Sequence, residues 1–178
     1  MTRRTIQLCV GAGAATFKAV ALASLLRKRG HTVRVAMSRA ATAFVGPLSF
    51  EAVTGMRPAV DSTAVEADGT ASHLAAGAAD ALVLVPATAD LIGRVAAGLG
   101  DDAASLAALC APERRLFCPA MNDRMWLNPL VQANVARLEQ HGWLRLGPVE
   151  GMLAEGYEAV GRMVEPEDVV ARLEELLG

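Results

Sequence analysis

The run Ala81-Leu-Val-Leu-Val85 places five apolar residues in succession, with no polar residue between them. A strand with one face in water alternates apolar and polar residues, whereas an uninterrupted apolar run predicts a strand that is covered on both faces. Strands of that kind belong to parallel sheets with helices above and below. The run therefore predicts the central strand of an α/β sheet.

Shorter strands and helices alternate on both sides of this run. On the N-terminal side the pattern predicts strands at Thr5–Gly11 and His31–Met37, helices at about 14–29, 39–45 and 73–79, and a loop at about 61–70. On the C-terminal side it predicts a strand at Arg115–Cys118, a short strand near 143–146, a loop at 147–163, and helices at about 89–99, 102–109, 129–141 and 166–177. This order predicts one domain over residues 1–178, a Rossmann-like (flavodoxin-like), doubly wound parallel sheet with helices on both faces.

Composition narrows the class of protein. Of 178 residues, 53% are apolar and 20% are charged, which predicts a real core and some apolar surface buried between subunits. A net charge of −2 gives no indication of nucleic-acid binding. The apolar run after Arg3 and Arg4 is short and broken, so we predict neither a signal peptide nor a membrane span. The cysteines are odd in number and lack paired spacing, so we expect a cytoplasmic, reducing location.

The three cysteines, Cys9, Cys110 and Cys118, have neither CxxC nor Cys/His spacing. This argues against a metal site. We expect Cys9 and Cys118 to be buried, unreactive thiols.

The first candidate site is the glycine turn Gly11-Ala12-Gly13, which follows the first predicted strand and precedes a helix. Glycine lets backbone N–H groups approach an anion, and a helix N-terminus favours negative charge. A tight turn without a ligand is the alternative. The second strand does not end in an acidic residue, which argues against NAD. Ser38 ends that strand and is either a donor to a phosphate or the N-cap of the next helix.

The second candidate is Ala87-Thr88-Ala89-Asp90, after the central strand. Small residues leave room for a flat ring, and Thr88 can hydrogen-bond to it. The alternative is a strand-to-helix turn with a capping side chain. His73 precedes the central strand by one short predicted helix, so it can lie near the same edge, although a lone histidine more often has a structural role.

The third candidate is Pro119-Ala-Met-Asn-Asp-Arg-Met-Trp126, at the carboxyl end of another predicted strand. The amide of Asn122, among Met121, Met125 and Trp126, can hold a carboxylate. An N-cap role for Asn122 is the alternative. The loop at 147–163 is either a lid over a ligand or an ordinary surface excursion.

Together these segments resemble the homo-oligomeric flavin-containing cysteine decarboxylases. That family includes phosphopantothenoylcysteine decarboxylase and the lantibiotic-type peptidyl-cysteine decarboxylases. The segment at 119–126 fits the family's PxMNxxMW motif at every defined position. The other segments that carry the resemblance, in chain order, are Val10–Lys18, Met37-Ser38, Ala43-Phe44, Pro47-Leu48, His73-Leu74, Ala78–Asp80, Pro86–Leu91, Gly98–Asp102 and the substrate-clamp frame Leu153–Met163.

The resemblance implies an enzyme, an FMN-dependent carbon–carbon lyase, with the flavin at a subunit contact of a homotrimer that can assemble into a dodecamer. It implies that His73 is the acid/base and that Asn122 acts with it. Expected FMN contacts are Gly11, Ala12, Gly13, Ser38, Phe44, Ala87, Thr88, Ala89, Asp90 and Ala120. Expected substrate contacts are Asn122, Met125, Glu155, Gly161, Arg162 and Met163.

The family's reaction begins when FMN oxidises the substrate thiol, and loss of CO₂ then gives an enethiolate. This sequence departs from the family pattern at Glu155, which stands at the clamp cysteine, and at Tyr157, which stands at the clamp aspartate. Asp90 and Leu91 replace the Asn and Thr of the PASANT motif, and Asp90 is expected to place a charge near the flavin or the substrate.

Because Glu155 cannot act as a thiol, the favoured hypothesis is oxidative decarboxylation of a peptide C-terminal cysteine that stops at an enethiol. One alternative is a divergent phosphopantothenoylcysteine decarboxylase of coenzyme A biosynthesis, which the intact Gly161-Arg-Met163 favours. A further alternative is an FMN-binding regulatory protein without catalysis.

Overall fold

A computed structural model describes residues 3–178 and has a five-stranded parallel sheet at its centre. Its strands in spatial order are β2-β1-β3-β4-β5, and every neighbouring pair is parallel. The bounds are β1 Thr5–Val10, β2 Thr32–Met37, β3 Ala81–Ala87, β4 Arg115–Pro119 and β5 Leu144–Arg145.

Helices cover both faces of this sheet. A 3-10 helix spans Arg39–Ala43, and the α-helices are α1 Thr16–Lys28, α2 Pro47–Thr54, α3 Ser72–Gly77, α4 Ala89–Ala96, α5 Ala103–Leu109, α6 Asp123–Trp126, α7 Pro129–Gln140 and α8 Pro166–Leu177. Helices α1, α2 and α8 pack on one face, and α3, α4, α5 and α7 pack on the other. The predicted doubly wound α/β fold is confirmed.

Strand β3 explains why the core has two halves. All seven of its residues are buried. Because successive side chains of a strand point to opposite faces, Val83 and Val85 join the cluster under α1 and α8, whereas Leu82 and Leu84 join the cluster under α4 and α5. The apolar run that predicted a doubly covered strand therefore supplies both halves of the core.

The order of the strands fixes where a ligand can bind. From β1 the chain moves outward to β2, and it then returns to the opposite side of β1 to form β3. In open α/β sheets the crevice at such a reversal, outside the carboxyl ends of the strands, is the usual ligand site. Here that crevice lies between the loops that follow β1 and β3, which are the first two candidate segments.

The segment at 147–163 differs from the expected loop. It contains an antiparallel hairpin of β6 Val149–Met152 and β7 Glu158–Arg162, which we call the clamp hairpin. Its strands are short, glycine interrupts both, and the pairing is irregular next to Val149. These features remove the alternation of apolar and polar residues that would have predicted strands.

Two further observations concern the part of the chain that the structure describes. No helix in it has the length and apolar character needed to cross a bilayer. Within the same residues, no group of three or more His, Cys, Asp or Glu side chains is placed to hold a metal ion.

Candidate active site

The loop after β1 touches the carboxyl end of β3 at Gly11. Its N–H donates to the carbonyl of Pro86 at 3.2 Å. A Cβ atom added at Gly11 would lie 2.5 Å from that oxygen and 2.9 Å from Oγ1 of Thr88. Glycine is therefore required here by the close approach of the loop after β1 to the end of β3, and its N–H joins the two segments.

Thr16 fixes the shape of the glycine turn. Its side chain is fully buried, and Oγ1 lies 3.1 Å from the carbonyl oxygen of Gly11 and 2.7 Å from that of Gly13. The same hydroxyl accepts from the N–H of Gly13 at 3.2 Å. The sequence interpretation did not single out Thr16, because a threonine near a helix start resembles an ordinary cap.

The start of α1 suits an anion. Ala15 occupies its N-cap without a side-chain hydrogen bond, and the first turn contains no acidic residue. The N-terminal N–H groups of a helix attract negative charge when no carboxylate occupies that position. Ser38 lies beside this turn, because its N–H donates to the carbonyl of Val10 at 2.9 Å.

Ser38 itself caps the 3-10 helix, since its Oγ accepts from the N–H of Ala41 at 3.2 Å. A hydroxyl that accepts one bond can still donate its hydrogen. The capping role is thus confirmed, and the predicted bond to a phosphate stays compatible with it.

Small side chains line the carboxyl ends of β3 and β4. Ala87 is buried, and its carbonyl accepts from the N–H of Ala120 at 3.1 Å. Thr88 caps α4, with Oγ1 accepting from the N–H of Leu91 at 3.5 Å. Phe44, on the far side of β1, exposes 56% of its surface. Small side chains thus end both strands, as the sequence predicted, and Phe44 is an exposed aromatic residue.

Asp90 is not the isolated charge that the sequence suggested. It lies in the first turn of α4, where its Oδ2 accepts from Nε of Arg94 at 2.9 Å. Nη1 of Arg94 also donates to both carboxylate oxygens of Asp101, at 2.5 and 2.6 Å. Asp90 is therefore paired rather than isolated, but Arg94 carries one positive charge for two carboxylates, so the three side chains together keep one negative charge.

His73 lies in the first turn of α3 and is half-buried. It lines a small cavity with Ala36 of β2 and with Asp61 and Ala103, close to the carboxyl end of the sheet. Its Nδ1 is buried and has no hydrogen-bond partner among residues 3–178. A buried polar atom without a partner is uncommon and indicates that something else can bind to it.

Asn122 connects two elements. Its Oδ1 accepts from the N–H of Arg124 at 3.0 Å, which makes it the N-cap of α6. Its Nδ2 donates to the hydroxyl of Tyr157, in the turn of the clamp hairpin, at 2.9 Å. That hydroxyl in turn donates to Oδ1 of Asp123 at 2.5 Å. The N-cap alternative is therefore confirmed, and Tyr157, which the sequence marked only as a departure from the clamp pattern, contacts Asn122.

The phenol of Tyr157 is perturbed by these neighbours. The hydrogen bond to Asp123 raises its pKa, because the ionised phenol would lose that bond and face a carboxylate. The bond from Asn122 acts in the opposite direction, and the charges of Asp123 and Glu155 add to the increase. Tyr157 therefore stays protonated at neutral pH and keeps its donor bond.

The clamp hairpin also docks through its backbone. The N–H of Met121 donates to the carbonyl of Gly161 at 3.0 Å. A Cβ atom at Gly161 would lie 2.2 Å from the carbonyl oxygen of Met121, and its φ of +142° is one that other residues rarely adopt. Gly161 is therefore a docking point between the hairpin and the segment that carries Asn122.

The end of the hairpin is tied to α1. Nζ of Lys18 donates to the carbonyl of Met163 at 3.1 Å and to Oε1 of Glu165 at 3.0 Å. Arg162 pairs with Glu165 as well. Met163 is 1% exposed and packs in the core under α1 and α8, which gives its side chain a structural role rather than the expected contact with substrate.

Two other residues that were expected to contact the substrate are exposed to solvent. Met125 exposes 47% of its surface, and Glu155 lies exposed in the turn of the clamp hairpin.

Cys9 and Cys118 are fully buried, as predicted, and burial raises the pKa of both thiols well above the ordinary range.

The structure thus forms two main groups of expected site residues. One group surrounds the crevice between β1 and β3, and the other joins Asn122 to the clamp hairpin. His73 lines the cavity beside β2, and Asn122 does not line that cavity. The profile of the Flavoprotein family matches residues 1–178.

The chain belongs to the Flavoprotein family.

Curated relatives of this flavoprotein support the same assignment. It is 39% identical over 171 residues to the coenzyme A biosynthesis bifunctional protein CoaBC of Bacillus subtilis, covering 96% of this chain and 42% of that protein. It is 42% identical over 169 residues to CoaBC of Escherichia coli, covering 94% of this chain and 41% of that protein. The chain therefore spans about two fifths of the length of these relatives.

Solved structures resemble this flavoprotein over nearly its whole length. The FMN-dependent cysteine decarboxylase SpaF is 29% identical, with a TM-score of 0.82 and coverage of 99% of this chain and 97% of that chain. A mutant PPC decarboxylase complexed with pantothenoylaminoethenethiol has a TM-score of 0.85 at 22% identity, covering 98% of both chains, and supports the fold alone. The predicted membership of the flavin-dependent cysteine decarboxylase family is confirmed, and so is FMN as the cofactor of that family.

Proposed function

We propose that this flavoprotein binds FMN and removes the carboxylate of phosphopantothenoylcysteine, the step expected of a coenzyme A biosynthesis enzyme. The observation that carries the proposal is the identity of 39% to 42% with CoaBC proteins over at least 94% of this chain. The identity with SpaF is 29%. The comparisons therefore favour this substrate over the peptide cysteine that the sequence interpretation preferred.

The crevice between β1 and β3 fits FMN. The uncapped start of α1, the glycine turn and the hydroxyl of Ser38 suit the phosphate. The small residues at the ends of β3 and β4 leave room for the ring system. Bound FMN would supply the two-electron oxidation of the substrate thiol, which creates the electron sink that loss of CO₂ requires.

The protein groups have the remaining roles in this proposal. The amide of Asn122 has two hydrogens on Nδ2, and only one is used by Tyr157. The second is available to a substrate carboxylate. The unpartnered Nδ1 of His73 is suited to exchanging a proton with a ligand, because a neutral imidazole has one accepting and one donating nitrogen.

We also propose that subunits cover part of the exposed apolar surface, in the trimer that the resemblance implied. Phe17, Phe44 and Leu74 expose 61%, 56% and 59% of their surfaces. Side chains of this size are commonly covered at an interface when they lie close together. Ultracentrifugation of the FMN-loaded protein would measure the oligomeric state.

Mass spectrometry of the product tests the reaction. FMN-loaded protein is incubated with phosphopantothenoylcysteine, and we expect a loss of about 44 Da if the thiol is restored, or about 46 Da if the enethiol is released. His73→Asn should abolish the change. His141→Asn, at the exposed end of α7, is the matched control and should not. An unchanged substrate mass with the flavin bound would contradict the proposal.

A peptide C-terminal cysteine is the second candidate substrate, and Glu155 favours it. A carboxylate at the clamp position lacks the thiol of the family pattern, so a reaction that stops at the enethiol is the simpler outcome. The same assay on peptides that end in cysteine separates the two candidates. Faster turnover of the peptides than of phosphopantothenoylcysteine would reverse our choice.

A further inference from the structure

Tyr157 is the single tyrosine of the chain, and it forms the side-chain link between the clamp hairpin and the segment that carries Asn122. Tyr157 and Asn122 are 35 positions apart in sequence. Tyr157 exposes 38% of its surface, and Asn122 is half-buried. The link therefore lies at the surface of the candidate site, where a ligand can reach it.

The direction of every hydrogen bond in this link is fixed. The carboxylate of Asp123 can only accept, so the hydroxyl of Tyr157 donates to it. The phenol oxygen must then accept, and it takes a hydrogen from Nδ2 of Asn122. At the other end of the amide, Oδ1 accepts from the N–H of Arg124. The amide is thus held at both ends, with its oxygen turned away from the hairpin.

This arrangement has a consequence for ligand binding. A carboxylate needs a donor, and an asparagine amide that rotates by half a turn would present its oxygen to the carboxylate instead. The bond to Tyr157 opposes that rotation and leaves the second hydrogen on Nδ2 free. An amide held in advance in the binding orientation loses less conformational freedom when the ligand arrives.

We propose that Tyr157 is a positioning residue that sets the specificity of the site for a substrate carboxylate, by holding Asn122 with its amide hydrogens available. The inference rests on the proposed function, because it takes Asn122 as the group that binds the carboxylate. It adds a residue for which no role was expected, at a position where the sequence departs from the family pattern.

The docked hairpin itself does not depend on this phenol. The backbone bond from Met121 to Gly161 and the bonds of Lys18 to Met163 and Glu165 hold the C-terminal end of β7, and the pairing with β6 holds its length, without the phenol. Tyr157→Phe removes the hydroxyl and keeps the ring, so the hairpin should stay in place. The variant therefore isolates the orientation of the amide from the folding of the clamp.

The test compares two ligands that differ only in the carboxylate. For FMN-loaded Tyr157→Phe we expect the KM for phosphopantothenoylcysteine to rise by about 3- to 10-fold, which corresponds to one ordinary hydrogen bond. The inhibition constant of phosphopantetheine, which lacks the carboxylate, should be unchanged. Glu158→Gln, an exposed change in the same hairpin, should alter neither constant.

Absorbance spectroscopy gives a second readout, because the phenolate signal of the wild type comes from Tyr157 alone. The bond to Asp123 raises the pKa of this phenol, so in Asp123→Asn the phenolate should form at lower pH than in the wild type. A phenolate that forms at the same pH in both proteins would overturn the hydrogen-bonded link.

The outcomes separate this inference from the proposed function. If the wild type converts phosphopantothenoylcysteine and Tyr157→Phe has the same KM, the role of Tyr157 is wrong. If the variant weakens phosphopantothenoylcysteine and phosphopantetheine by the same factor, Tyr157 acts on the hairpin in general and the specificity claim is wrong. If the wild type does not convert the substrate at all, the proposed function itself fails.

Discussion

Replacing Gly11 by alanine should separate the two walls of the proposed FMN crevice. The new Cβ would lie 2.5 Å from the carbonyl oxygen of Pro86, whereas ordinary contacts begin at 3.4 Å. The carboxyl end of β3 or the glycine turn must therefore move by roughly 0.9 Å, and the bond from the N–H of Gly11 to Pro86 would be lost or stretched. Overpacking costs about 1–3 kcal/mol and a lost hydrogen bond about 1 kcal/mol, so we expect a total of about 2–4 kcal/mol.

Urea unfolding of the FMN-free protein measures this cost directly. With a slope of about 2 kcal/mol per molar urea, the midpoint of Gly11→Ala should fall by roughly 1–2 M. Fluorescence titration with FMN should show weaker binding in the same variant, because the loops that move are those expected to hold the flavin. Gly13→Ala is the matched control for stability, since its Cβ would approach no atom closer than Cγ2 of Thr88, at 3.4 Å. Equal midpoints for Gly11→Ala and the wild type would show that Gly11 is not required for this close approach.

Three further outcomes follow from the geometry. Gly161→Ala should undock the clamp hairpin, because its Cβ would lie 2.2 Å from the carbonyl of Met121, and limited proteolysis should then cut the hairpin faster than in the wild type. The carboxylate of Asp80 accepts from the first N–H of β1, and this bond lowers its pKa. The ionised form therefore contributes stability that is present above the unfolded value of about 4 and is lost as the pH falls through the lowered folded value. Asp80→Asn should thus lower the free energy of unfolding by about 0.5–1 kcal/mol at pH 7, a value discounted for partial exposure of the side chain, and by progressively less below pH 4. Urea unfolding at several pH values measures this difference, and a difference that does not depend on pH would contradict the expectation. Cys9 and Cys118 should resist alkylation in the native protein and react after denaturation, as mass spectrometry would show.

The sequence predicted the strands of the sheet, because the apolar runs that indicate buried strands involve only neighbouring residues in the chain. The apolar run of β3 is continuous and directly indicates a strand covered on both faces. Glycine and small residues after β1 and β3 likewise indicated a crevice at the strand ends. These features depend on neighbours in the chain, so they can be recognised without knowing the tertiary structure.

The clamp could not be predicted in the same way. Its strands lack alternation, and the contact between Tyr157 and Asn122 joins residues that are distant in sequence. The pairing of Asp90 with Arg94 was also missed, although the spacing of four residues on a helix permits such a pair. The roles of Thr16 and Lys18 depend on backbone carbonyls that only the folded chain brings within reach.

Release of labelled CO₂ tests the central claim most directly. FMN-loaded protein is given phosphopantothenoylcysteine that carries ¹³C in the cysteine carboxylate, and the headspace is analysed for ¹³CO₂. We expect ¹³CO₂ in step with substrate consumption, and none above background for His73→Asn. A protein that binds FMN and releases no ¹³CO₂ from phosphopantothenoylcysteine or from a labelled Cys-terminal peptide would contradict the account and favour a flavin-binding protein without catalysis.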